Sequence, residues 1–231
     1  MEMEVFDDQE SVARRAAAVI AAHARDAVAQ RGKFLMAVSG GKTPWIMLRD
    51  LADEEVPWEH LHVFQIDERI APANDPDRNL THLRESLLSH APLKPEQIHA
   101  MPVESADVAG GAAKYSETLE NLAGNPPVLD LAHLGMGPDG HTASLIPGDP
   151  VLDVTDRDIA VTGVYQGRRR MTVTYPLLNR ARFILWLITG AEKAPALQRL
   201  LKGDASIPSG RVRGKAMLVL ADKAAAGRAG H

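Results

Sequence analysis

The residues with the clearest chemistry stand in one glycine-rich segment, Gly135-Met136-Gly137-Pro138-Asp139-Gly140-His141-Thr142-Ala143-Ser144. Asp139 and His141 lie two residues apart in it, a spacing that suits a carboxylate orienting or polarising an imidazole for proton transfer. A lone histidine is usually structural, whereas this one has a carboxylate neighbour in a flexible-backbone loop. The segment also fits G-x-G-x-x-G after an apolar run, with Asp156 and Asp158 near the spacing of a ribose contact. A dinucleotide site is rejected on chemistry: Asp139 would meet the pyrophosphate with a carboxylate, and Pro138 stiffens a turn that needs free N–H donors.

Groups suited to an anion lie elsewhere. Ser39-Gly40-Gly41-Lys42-Thr43-Pro44 offers a glycine pair before a helix start near Pro44, which reads equally as a phosphate cradle or as a tight turn. It is not a Walker A loop, which would need Gly at Met36, nor a nucleophile elbow, which would need Gly at Ala37. Asp67-Glu68-Arg69 follows another apolar run and is either a solvated strand end or a group reaching into a site. Asp75, Asp77, Arg78 and Asn79 form a polar loop where helix capping competes with ligand contact. Arg168-Arg169-Arg170 leads into an extended segment in which Arg168 and Arg170 share a face, so at least one can point inward. Lys193 follows a further run ending at Thr189-Gly190. The other histidines, His60 and His62 included, show no H-E-x-x-H pattern, so no metal is assigned.

Short apolar runs must carry these groups: Phe34 to Val38, Leu61 to Ile66, Leu129 to Leu134, Phe183 to Thr189 and Met217 to Leu220. Each is too short for a helix and reads as a strand buried on both faces. Helical stretches alternate with them, at Glu10 to Gln30 (ended by Gly32), Trp45 to Ala52, Leu80 to Ser89, Ala106 to Leu122 and Ala194 to Leu201. That alternation predicts an α/β fold with a mainly parallel sheet covered on both faces, and one domain over residues 1–231. In such a sheet ligands sit beyond the carboxyl ends of the strands, where the candidate groups fall.

Composition narrows the function classes. The formal charge is −4 without a long basic run, which argues against nucleic acid and membrane surfaces as partners. The lack of cysteine removes disulfides, thiolate nucleophiles and sulfur-ligated zinc. Met1 to Glu10 carries five acidic side chains and no apolar core, and no run spans a bilayer, so the expected location is the cytoplasm.

Taken together, Ser39-Gly40-Gly41, Asp67-Glu68-Arg69, the Gly135 to Leu145 segment, Arg170-Met171-Thr172-Val173-Thr174 and Gly190-x-x-Lys193-Ala194 resemble, in order, the 6-phosphogluconolactonase family. Its wider superfamily includes glucosamine-6-phosphate deaminases. The resemblance implies a modified Rossmann-type three-layer sandwich, with Gly40, Gly41, Arg170 and Lys193, flanked by Ser39 and Lys42, around a substrate phosphate. It also implies that His141 transfers the proton while Asp67, Arg69 and Asp139 line the reacting end. The expected ligand is a small sugar-phosphate lactone, hydrolysed to 6-phosphogluconate in the oxidative pentose phosphate pathway. A δ-lactone is an activated ester, so water attack needs a general base and oxyanion stabilisation but no metal or cofactor. The rivals are a glucosamine-6-phosphate deaminase and a non-catalytic sugar-phosphate sensor. The deaminase pattern has a catalytic Glu five residues after the loop histidine, where this chain has Ile146. A sensor usually adds a DNA-binding module, and the recognisable scaffold consumes the chain from the opening helix to the final strand.

Overall fold

The computed structural model describes residues 1–227. In chain order its elements are β1 (Glu2–Phe6), α1 (Gln9–Arg31), β2 (Phe34–Val38), α2 (Lys42–Leu51), β3 (Leu61–Gln65), β4 (Asp67–Arg69), α3 (Asn79–Leu83), β5 (Ile98–His99), α4 (Val108–Ala123), β6 (Leu131–Leu134), β7 (Ile159–Val161), β8 (Arg170–Val173), α5 (Tyr175–Arg180), β9 (Phe183–Ile188), α6 (Ala194–Leu201) and β10 (Met217–Asp222). Helix α1 begins where Asp8 accepts the Ser11 N–H at 2.7 Å, and it ends at Gly32, whose φ of 76° few other residues would adopt.

Seven strands form a parallel sheet in the order β1-β10-β9-β6-β2-β3-β5. Because side chains alternate along a strand, each central strand feeds two cores. Phe34, Met36, Leu185 and Leu187 join α1, α2 and α3 on one face. Leu35, Ala37, Ile184 and Trp186 join α4, α5 and α6 on the other. The result is the expected three-layer α/β sandwich. Strand order reverses between β2 and β6, since β2 continues through α2 to β3 on one side while β6 lies on the other. The loops after β2 and β6 therefore flank a crevice at the sheet's carboxyl edge.

Two features depart from the sequence expectation. The acidic segment before α1 contains β1, an edge strand in register with β10 from Glu2 opposite Leu218 to Phe6 opposite Asp222. Its glutamates lie at an edge, where charge guards against further pairing. Asp67-Glu68-Arg69 is more than the end of β3: it is β4, the first strand of a small antiparallel sheet ordered β4-β8-β7. That sheet lies on the α4 side, with Met171 and Val173 in the same core. Among the described residues no helix is long and apolar enough to cross a membrane.

Candidate active site

A cavity of about 740 Å3 opens at the carboxyl edge of the sheet, and every site residue expected from sequence except Asp139 lines it. Asp139 joins it through His141, whose Nδ1 lies 2.6 Å from Asp139 Oδ1. The same carboxylate oxygen accepts the His141 backbone N–H at 3.1 Å. Burial pushes the Asp139 carboxyl up, but these two contacts and the imidazole's charge outweigh it and hold it below the ordinary carboxylate value. An ionised Asp139 can only accept, so the His141 proton belongs on Nδ1 and the Nε2 lone pair is free when the ring is neutral.

The loop's glycines make room for this pair. A side chain at Gly137 would overlap the His141 ring, and Gly140 turns the chain at φ 82° against Ile207. The Gly137 N–H also donates to the His141 carbonyl at 2.9 Å, closing the loop on itself.

Strand alternation sorts the Asp67-Glu68-Arg69 cluster. Glu68 turns away from the cavity and is fully buried, accepting the N–H groups of Arg69, Asn79 and Leu80 at 2.7–2.8 Å and facing Arg78 Nε at 3.1 Å. It thereby fixes the start of α3 to β4, a structural task. Asp67 and Arg69 face the cavity. Asp67 accepts from Ser144 Oγ at 2.6 Å and from Asn79 Nδ2 at 3.3 Å. Asn79 Oδ1 in turn accepts from Arg69 Nη1 at 2.9 Å, so one amide orients both charged groups.

The cradle after β2 combines two glycines with different duties. A Cβ at Gly40 would collide with Asn79 Oδ1, and Gly41 adopts φ 136° as the cap of α2. No side chain caps that helix, which leaves its first N–H groups directed at the cavity mouth. Ser39 is turned inward: its hydroxyl donates to the His133 carbonyl at 3.0 Å, and its N–H donates to His133 Nδ1 at 3.2 Å. Lys42 lies exposed at the rim.

Of the three consecutive arginines only Arg170 lines the cavity. Arg168 is held by Asp75 at 3.0 Å and Asp77 at 3.1 Å, and Arg169 donates to the Thr162 carbonyl. Arg170 is the direct cross-strand partner of Arg69. Burial and the Arg69 charge both push its guanidinium below the usual arginine value, and the Nε atoms of both arginines are buried without a hydrogen-bond partner. Lys193 caps α6 at the far side, its ammonium pushed down by burial against the pull of Glu192 and Asp222. Asp222 accepts the Gly190 N–H at 3.0 Å, which sets the turn carrying Lys193. The resemblance assigned Arg170 to the phosphate and Arg69 to the reacting end; the register of β4 and β8 makes the two cross-strand neighbours. The sequence reading assigned no role to Ser144, Asp222 or Tyr165, since the Ser144–Asp67, Asp222–Gly190 and Tyr165–His141 contacts join segments apart in sequence. Among the described residues no group of three or more His, Asp or Glu is arranged to hold a metal ion.

Comparison with known proteins identifies the family. The family model described as glucosamine-6-phosphate isomerases/6-phosphogluconolactonase matches residues 7–220. The chain is 37% identical over 232 residues to a 6-phosphogluconolactonase of Nostoc sp., covering 97% of this chain and 96% of that protein. The crystal structure of the Thermotoga maritima 6-phosphogluconolactonase superposes with a TM-score of 0.86 at 28% identity, covering 96% of this chain and 99% of the other. The three-dimensional structure of the Trypanosoma brucei 6-phosphogluconolactonase gives 0.86 at 26% identity, covering 98% and 97%. The chain therefore belongs to the glucosamine-6-phosphate isomerase/6-phosphogluconolactonase family.

Proposed function

We propose that this chain is a 6-phosphogluconolactonase, hydrolysing 6-phospho-D-glucono-1,5-lactone to 6-phospho-D-gluconate in the oxidative pentose phosphate pathway, with His141 as general base. The observation that carries the reading is the 2.6 Å contact between His141 Nδ1 and Asp139, set in a cavity with the neighbouring guanidiniums of Arg69 and Arg170. Neutral His141 accepts through Nε2 a proton from the water that attacks C1. Arg69, oriented by Asn79, stabilises the tetrahedral oxyanion together with N–H groups of the His141 loop. As the C1–O bond to the ring oxygen breaks, imidazolium returns the proton to that oxygen, so no covalent intermediate is needed. Arg170, Lys193, Lys42 and the N–H groups of α2 hold the phosphate, with Ser39, Gly40 and Gly41 shaping the cradle.

The deaminase alternative lacks support at one position. Ile146, where that reaction's pattern has Glu, is a buried apolar residue and does not line the cavity. The deciding experiment mixes the protein with freshly generated 6-phosphogluconolactone and compares acid release with spontaneous hydrolysis. Release well above the spontaneous rate, without ammonia from glucosamine 6-phosphate, supports the reading. Comparable ammonia release would replace it with the deaminase.

A further inference from the structure

The hairpin joining β7 to β8 sets one side chain against two residues of the site. Tyr165 and Arg168 pair across it, with N–H to O distances of 2.9 and 3.2 Å, and Gln166 and Gly167 make the turn at φ 50° and 78°. Val164, Gln166 and Gly167 face solvent, whereas Tyr165 is half-buried and turned inward. Its ring centre lies 5.0 Å from the Arg170 guanidinium carbon and 5.8 Å from the His141 ring, edge-on at 66°. Gln166 Oε1 accepts from Arg170 Nη2 at 3.1 Å. Among the described residues Arg170 has no carboxylate within ion-pair distance, so the Tyr165 face and the Gln166 amide are what hold it. Arg168, bound to Asp75 and Asp77, fastens the hairpin to the loop whose Asp77 carbonyl accepts from Arg69.

We infer that Tyr165 is a positioning residue that acts on both halves of the reaction, its ring fixing the Arg170 guanidinium that binds the phosphate and bracing the His141 imidazole that moves the proton. Gln166 acts on Arg170 alone. The inference rests on the function proposed above in taking Arg170 as an anion ligand and His141 as the base.

The test compares Tyr165→Leu, Tyr165→Phe and Gln166→Ala for lactone hydrolysis and, by calorimetry, for binding of inorganic phosphate. Leucine keeps apolar bulk without a π face, so KM and the phosphate Kd should rise about 3- to 30-fold. Loss of the aromatic contact with His141 should lower kcat about threefold or more in the same variant. Phenylalanine should restore both parameters to near the wild-type values, and Gln166→Ala should raise KM without lowering kcat. A purely structural role would make leucine and phenylalanine equivalent, or would make the losses follow the melting temperature; either result overturns the inference. Wild-type protein without lactonase activity would count against the function itself. The phosphate Kd would still decide the Arg170 half of the inference, which fails if Tyr165→Leu binds phosphate as wild type does.

Discussion

Arg69 and Arg170 stand directly opposite each other across β4 and β8, each with a buried Nε that no protein group accepts. Like charges in register oppose pairing, and a ligand that brings an anionic group to each guanidinium would relieve the repulsion while supplying acceptors.

This relationship predicts a separation of stability from binding. Arg170→Leu should fold about as stably as wild type in phosphate-free buffer, because it removes one member of a repelling pair. At ligand concentrations near 100 times its Kd, 6-phosphogluconate should stabilise wild type by about 2.7 kcal/mol. Arg170→Leu should gain much less at the same concentration, and its KM should rise by tenfold or more, since a desolvated charge contact is worth about 2–5 kcal/mol. Equal ligand-induced shifts in chemical denaturation would contradict the assignment.

Gly40 is predicted to matter through Asn79. A methyl group at this position would displace the Asn79 amide, and Trp45 closes the other direction at 2.9 Å. Asn79 would then release Arg69 and Asp67 together. Gly40→Ala should lower kcat/KM by at least about tenfold, as misplacement of catalytic groups does, while circular dichroism reports an intact fold. An alanine variant with wild-type kinetics would show that Asn79 does not orient the site.

The pH dependence of stability should carry a signature of His133. This ring is fully buried beneath Ser39 and the glycine pair that follows it, and burial lowers its pKa to about 3. Above about pH 6.5 neither folded nor unfolded chain is protonated there, so the full stability is present. As pH falls the unfolded chain takes up a proton that the folded chain refuses, and stability declines by up to about 1.4 kcal/mol per pH unit until about pH 3. His133→Asn keeps an acceptor for the Ser39 N–H and has nothing to titrate. Between pH 6.5 and 5 urea denaturation should show wild type losing about 2 kcal/mol more than this variant. Parallel pH slopes would refute the role.

The sequence carried the parallel sheet because Phe34 to Val38 and Phe183 to Ile188 are buried on both faces, and continuous apolar runs announce that burial. It hid β1 and the small sheet for the opposite reason. Glu2 to Phe6 and Asp67 to Arg69 are rich in charge, and their strand character comes from register with β10 and β8. At the site, the Asp139–His141 pair was legible because two residues of separation already bring the groups together. The Ser144–Asp67 bond spans 77 residues of sequence and the Arg69–Arg170 pairing a still longer stretch, so neither leaves a local pattern.

The most direct test of the account is the kinetics of His141→Asn. Removing a general base typically costs about 10²–10⁴-fold, so kcat above spontaneous hydrolysis should fall by that factor. Binding of 6-phosphogluconate should persist, because the proposed phosphate ligands lie on other loops. A His141→Asn enzyme that keeps the wild-type kcat would contradict the mechanism and turn attention to Asp67.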